Sequence, residues 1–339
     1  MLRRPGASLE FGGRLAELKG YAIRKADPMN RFIAVAVAAT LLSSPGFAQN
    51  ADGFGPLVTS EELAGLLDTT APLVLDIRGD AYAEGHVEGA VSAPYGLFRG
   101  PAENPGQVPS EEKLTEVLRS LGVTTDRPVV ITHQGSDETD FGAAARVYWT
   151  LKSSGVSNLA ILNGGVGAWK AAGNTLSTEA VEPEASEITV SFSDQWLASQ
   201  EDVLQVVEGE TQATLVDARP ESFWAGNDAH PAAARPGTLP QSEYFTHSNW
   251  FSDDPTLINA EAARALAEEG GFASDETLIS FCNTGHWAAT NWFALSELAQ
   301  LDDVKLYPES MVGWSQAGLP MDNTPGVFRN LLNQITGAL

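Results

Sequence analysis

Leu278-Ile-Ser-Phe-Cys282-Asn-Thr-Gly-His286-Trp-Ala-Ala-Thr-Asn-Trp-Phe-Ala-Leu-Ser-Glu297 carries the only cysteine of this 339-residue chain. Leu278 to Phe281 are suited to a buried strand. Cys282 stands where that strand ends, and Gly285 marks a short turn. Beyond it, Ala288, Ala289, Phe293, Leu295 and Leu298 recur as the apolar face of a helix. A thiol between a strand end and a helix start lies among free backbone N–H groups at the positive end of a helix dipole. Such groups favour the thiolate, which is the nucleophile. A lone cysteine is commonly a packing residue. The strand, thiol, loop and helix in this order point instead to a reactive one.

Outward from this stretch, the chain reads as two copies of one unit. Leu73-Val-Leu-Asp76-Ile-Arg78 is a short buried strand ending in Asp-x-Arg, and Thr214-Leu-Val-Asp217-Ala-Arg219 repeats it. Tyr82-Ala-Glu-Gly85-His86-Val-Glu-Gly89-Ala90 follows the first. A degraded counterpart, Phe223-Trp224 and then Arg235-Pro-Gly237-Thr-Leu-Pro240, follows the second. The apolar strand Pro128-Val-Val-Ile-Thr132 matches Leu278 to Phe281. Each is followed by a loop and an amphipathic helix, Phe141 to Leu151 and Ala288 to Leu298. Each half closes on a Gly/Trp element, Leu162-Asn-Gly164-Gly165-Val-Gly167-Ala-Trp169 and Tyr307-Pro-Glu-Ser310-Met-Val-Gly313-Trp314. Strands alternating with helices predict an α/β fold of two parallel sheets, each flanked by helices. Ligands in such sheets sit beyond the carboxyl ends of the strands, where Cys282 falls.

In these motifs and their order the chain resembles the tandem rhodaneses, the thiosulfate and 3-mercaptopyruvate sulfurtransferases. The resemblance implies two rhodanese-like domains, at 55–176 and 188–335, joined by a Glu/Ser/Pro-rich linker at 177–187. It implies an inactive first domain, since His133 stands there in place of Cys282. It implies transfer of a sulfane sulfur through a Cys282 persulfide, from a small donor to a thiol or cyanide acceptor, with no cofactor. The loop residues Asn283, Thr284, Gly285, His286 and Trp287 would bind the substrate, with their N–H groups cradling the persulfide. The loop departs from the family's Cys-Arg-x-Gly-x-Thr and Cys-Gly-x-Gly patterns, and Phe223 stands where an anion-binding Arg is common. His286 is either a switchable cation or a solvent-facing loop residue. Trp287 is a pocket wall or an anchor. Asp217 and Arg219 read as a structural pair supporting the site. Arg235 is a spare cation assigned to substrate binding, or a surface residue. The missing cations also admit a second reading, a persulfide carrier that docks a sulfur-relay protein.

Composition narrows the partners. The chain has 20 basic and 44 acidic residues, a net charge of −24. Met29-Asn-Arg31, the apolar run Phe32 to Leu42 and Pro45-Gly-Phe-Ala48 form a secretory signal at 29–48, too short in its apolar part to span a bilayer. Residues 1–28 would be an extension or an upstream mis-start. Cleavage after Ala48 removes 7 basic and 3 acidic residues and leaves 13 and 41, a charge of −28. Such a surface excludes nucleic acid and anionic membranes as partners. No membrane span is expected after signal removal, and the location is periplasmic or secreted. One cysteine excludes a disulfide framework and a multi-Cys zinc site. Cys282 and His286 make two ligands, and zinc takes three or four. A Cys-x5-Arg phosphatase is excluded because Ala288 stands at the arginine position.

Overall fold

The computed structural model describes residues 54–252, 254–272 and 275–326. The expected extension at 1–28, the signal at 29–48 and the tail beyond 326 lie outside the described residues.

The first half runs β1 (Leu57–Val58), α1 (Ser60–Thr69), β2 (Leu73–Asp76), β3 (Val91–Ser92), α2 (Glu111–Ser120), β4 (Val129–Thr132), α3 (Glu138–Ser153), β5 (Leu159–Leu162) and α4 (Gly165–Ala171). Its sheet has the order β1-β5-β4-β2-β3, and every pairing is parallel. The second half runs α5 (Gln200–Val207), β6 (Thr214–Asp217), α6 (Glu221–Trp224), β7 (Glu243–Tyr244), α7 (Ala260–Glu269), β8 (Leu278–Phe281), α8 (Trp287–Trp292), β9 (Val304–Leu306) and α9 (Ser310–Gln316). Its order is β7-β6-β8-β9, again all parallel. A parallel bridge between Leu197 and Leu306 stands where β1 pairs with β5 in the first half. The two topologies therefore coincide, as the repeated motifs predict.

The strands are buried on both faces, which is why they read as unbroken apolar runs. Helix starts are set locally. Thr59 with Glu62 and Ser199 with Asp202 form reciprocal caps, and Asp137 caps α3.

The helices expected to be amphipathic differ from that reading. Residues 141–151 of α3 are buried on every side. So are residues 288–295, where α8 continues as a π-helix over Phe293–Leu298. The reason is that α3 and α8 pack on each other across the seam between the halves. A helix with a sheet on one side and a helix on the other has no solvent face. Phe141 meets Phe293 edge-on at 5.7 Å, and Tyr148 meets it at 5.0 Å. One apolar cluster runs through this seam from Leu73 to Leu306. Tyr148 and Lys152 of α3 also reach Glu297, at 2.9 and 2.8 Å.

The segment after Leu176 is strapped to the first half. Ser177 pairs antiparallel with His86, the Val181 N–H donates to the Tyr82 hydroxyl at 3.2 Å, and Arg119 Nε donates to the Ile188 carbonyl at 2.6 Å.

Candidate active site

Strand β8 ends at Phe281, so Cys282 emerges at a carboxyl edge in the middle of the second sheet. It is 1% exposed, so the thiol is recessed. The loop from 282 to 286 is docked on the start of α9. The Cys282 carbonyl accepts from Met311 N–H at 3.1 Å, and the Asn283 carbonyl accepts from Val312 N–H at 3.0 Å. The Ser310 hydroxyl accepts from the N–H groups of Cys282 and Gly285, at 3.0 and 3.2 Å, and donates to the Tyr307 carbonyl at 2.7 Å. The N–H groups of Asn283, Thr284, His286 and Trp287 make no hydrogen bond among the described residues. They are unengaged donors in the loop that Cys282 leads.

Ser310 was not foreseen as a site residue, although the repeat contains a signal for it. In the first half Val166 and Gly167 donate to the His133 and Gln134 carbonyls in the same pattern, which places Ser310 opposite Gly165. Both positions are left-handed, with φ of 50° and 58°. Serine there costs on the order of 1 kcal/mol or more. A serine replacing a glycine at such a position signals work for its hydroxyl.

Gly285 has φ 64°, and a Cβ at this position would lie 2.5 Å from both Arg146 Nη1 and the Pro308 carbonyl oxygen. Only glycine fits. Asn283 is buried and turned inward, with Oδ1 accepting from Arg219 Nη1 at 3.3 Å. Arg219 and Asp217 form a buried ion pair at 2.6 Å. Arg219 also donates to the Gly237 carbonyl, and Thr238 to the Asp217 carboxylate. The pair therefore braces the loop from behind. Thr284 is buried, and its carbonyl faces Arg146. Trp287 lies parallel to the His247 ring at 5.0 Å, meets Phe223 edge-on at 5.9 Å, and donates from Nε1 to Thr139 Oγ1 at 3.2 Å.

Two expectations need correction. Arg235 is not brought to the loop: its guanidinium is engaged by the Leu319 carbonyl and the Met321 sulfur, an anchor for the chain after α9. His286 is neither solvent-facing nor a cation near neutral pH. Its Nε2 meets the Thr139 carbonyl at 2.6 Å, and its Nδ1 meets the Tyr95 hydroxyl at 2.9 Å. A carbonyl only accepts, so Nε2 carries the proton and Nδ1 accepts from Tyr95. Burial, then the nearby Arg99, lowers its pKa to about 4. Activity is therefore not expected to fall as pH rises through 6.5 on account of His286. The close approach of α3 needs Gly142, where a Cβ would lie 2.9 Å from the His286 ring.

The first half thus supplies Tyr95, Thr139 and Arg146 to the loop of the second, none of them singled out in the sequence. Arg99 stacks over Tyr95 at 5.1 Å. Burial raises the Tyr95 hydroxyl above its ordinary range. The first half's own loop is filled from within. The Asp140 carboxylate accepts from Gly135 N–H at 2.5 Å and Ser136 N–H at 3.3 Å, and meets His133 Nδ1 at 2.8 Å. Burial opposes its charge, but His133 and these amides outweigh burial and hold the carboxyl below its usual range.

A family model described as the rhodanese-like domain matches residues 59–172 and again 199–317. The "Putative thiosulfate sulfurtransferase SseB" of Mycobacterium tuberculosis is 30% identical over 275 residues, spanning 76% of this chain and 93% of that one. The sulfur carrier protein TtuD of Thermus thermophilus is 27% identical, spanning 78% of this chain and 95% of its own. The crystal structure of SseA from Escherichia coli, described as a 3-mercaptopyruvate sulfotransferase, superposes with a TM-score of 0.65 at 24% identity, over 75% of this chain and 97% of that one, a likeness of fold. With the domain matched in both halves and the two sheets of identical topology, the chain belongs to the rhodanese-like domain family.

Proposed function

We propose that the protein is a sulfurtransferase that carries sulfur as a persulfide on Cys282 and acts after export. One observation carries the reading: the single thiol sits at the carboxyl edge of the sheet inside a loop whose spare amides are free for an anion. The family membership and the relatives named as sulfurtransferases support it.

The Cys282 thiolate attacks the outer sulfur of a donor such as thiosulfate. A new S–S bond forms to Cys282, the donor's S–S bond breaks, and sulfite leaves with the electron pair. An acceptor thiolate then attacks the outer sulfur of the persulfide, giving an acceptor persulfide and restoring the Cys282 thiolate. The loop amides hold the negative charge at each stage. Asp217 and Arg219 keep the loop in place through Asn283. Neutral His286, fixed by Tyr95 and Thr139, seals the seam.

A second reading has a specific observation in its favour. Cys282 is almost wholly buried, and one full-length relative is named a sulfur carrier. In that reading a protein partner delivers or collects the sulfur. Mass spectrometry of the intact protein after exposure to thiosulfate, mercaptopyruvate or a persulfide should show a gain of one sulfur on Cys282, and steady-state turnover with a thiol acceptor should fall within about 1–1000 per second. Persulfide formation with turnover far below that range on every small donor would establish the carrier. No persulfide from any donor would end both readings.

Export rests on the pattern at 29–48. Protein recovered from its native host should begin at Gln49 on N-terminal sequencing. An intact chain retained in the cytoplasm would overturn this part of the proposal.

A further inference from the structure

Arg146 lies on α3 of the cysteine-free half and is fully buried. Its guanidinium donates to three carbonyls: Gly106 at 2.8 Å, Gly285 at 3.2 Å and Thr284 at 3.4 Å. Its Nε–H is buried and finds no acceptor. It stacks over Trp149 at 5.1 Å. It takes part in none of the ion pairs among the described residues. Burial, then Arg99, lowers its pKa to about 9, so it remains a cation at neutral pH. A buried cation without a counter-ion is costly to hold.

The groups that act on it are Arg99, Tyr95 and Cys282, and none of these is a carboxylate. Around Cys282 the remaining titratable groups are accounted for. His286 and His247 have lowered pKa values, and burial keeps Tyr95 uncharged. Asp217 is closed by Arg219, and Glu309 accepts from Asn104 Nδ2 at 2.8 Å. Of the groups that act on Arg146, Cys282, in the loop whose carbonyls Arg146 holds, is the one whose sulfur can bear a transferred anion.

We propose that Arg146 supplies, from the cysteine-free half, the positive charge that the Cys282 loop itself lacks, and so sets the site's preference for anionic sulfur compounds. It acts through its field and by holding the Thr284 and Gly285 carbonyls, so it is a specificity-determining and positioning residue. The substrate class is a sulfane-sulfur donor bearing a sulfonate, carboxylate or thiolate charge. This rests on the persulfide reading of Cys282 but names a residue in the other half.

The test compares alkylation of Cys282 by iodoacetate and by iodoacetamide at one pH. Both reagents consume the same thiolate, so the rate ratio cancels ionisation and reports the local field on an anion. The wild-type ratio should exceed that of the urea-unfolded chain. Arg146→Met should lower the ratio by about tenfold, the scale of one charge acting through a partly screened interior, and Arg146→Lys should keep most of it. A purely structural role would slow or speed both reagents alike. An unchanged ratio in Arg146→Met overturns the proposal. Should that variant fail to fold, a wild-type ratio no higher than that of the unfolded chain overturns it. The assay needs no turnover. A ratio that falls as expected, in a protein that never forms a persulfide, would sink the sulfurtransferase reading and leave the charge assignment standing.

Discussion

Replacing Cys282 by Ser should abolish persulfide formation and reduce sulfur transfer by on the order of 10⁴-fold or more, the scale set by deleting a covalent nucleophile. The hydroxyl is far less acidic than the thiol and cannot hold a sulfane sulfur. No other residue can substitute, because the chain has no second cysteine. The exchange is nearly isosteric, and the site is buried against Phe281, Ser310 and α9, so the fold should survive with a melting temperature within a few degrees. Turnover with thiosulfate and a thiol acceptor, read beside the intact mass, checks this. A Cys282→Ser protein that retains transfer would show that the sulfur travels elsewhere.

Asp217→Ala should be the most damaging substitution for stability among the site's supports. Asp217 accepts from Arg219 Nε and Nη2, from the Arg219 N–H and from the Thr238 hydroxyl. Arg219 is 1% exposed. Removing the carboxylate leaves a buried guanidinium without its charge partner, which costs about 3–5 kcal/mol. The loss should reach the loop as well, because Asn283 is held by the same guanidinium. Urea unfolding should show the drop, and transfer should fall in the fraction that remains folded. Lys113→Ala serves as the contrast. Its pair with Glu116 is exposed on both sides and should contribute about 0–1 kcal/mol. A cost near 1 kcal/mol for Asp217→Ala would mean that water enters behind the loop and that the brace is not what holds it.

The parts of this molecule that were legible in its sequence are those governed by short-range pattern. The strands 73–76, 129–132, 214–217 and 278–281 read as buried because parallel strands lose their polar face. The two Asp-x-Arg pairs sit at matching strand ends. The duplication appears as the same sheet order twice. What was missed lies across the seam. Periodicity reports that a face is buried and not what buries it, so residues 141–151 and 288–295 looked one-sided when each helix is covered on both. His286 looked titratable because the burial that lowers its pKa, and the charge of Arg99 that lowers it further, come from residues far away in sequence. Arg146 was not singled out, because a helix read for its apolar face gives no sign that one of its cations reaches the other half. Phe223 and Asn283 looked like a shortage of positive charge, while a cation stood on the other half. Ser310 lay within the quoted repeat, and only the left-handed turn it shares with Gly165 reveals why its hydroxyl matters.

The docking of Tyr95, Thr139 and Arg146 on the loop that Cys282 leads has a further consequence in the order of synthesis. A chain emerges N-terminus first, and early domains fold while later ones are still being made. The cysteine-free half is therefore complete before the thiol has left the ribosome. Cys282 follows that half in the chain, and α8 finds α3 already in place to pack against. The interval in which an oxidant can reach the bare sulfur is then the folding time of the second half and not that of the whole chain.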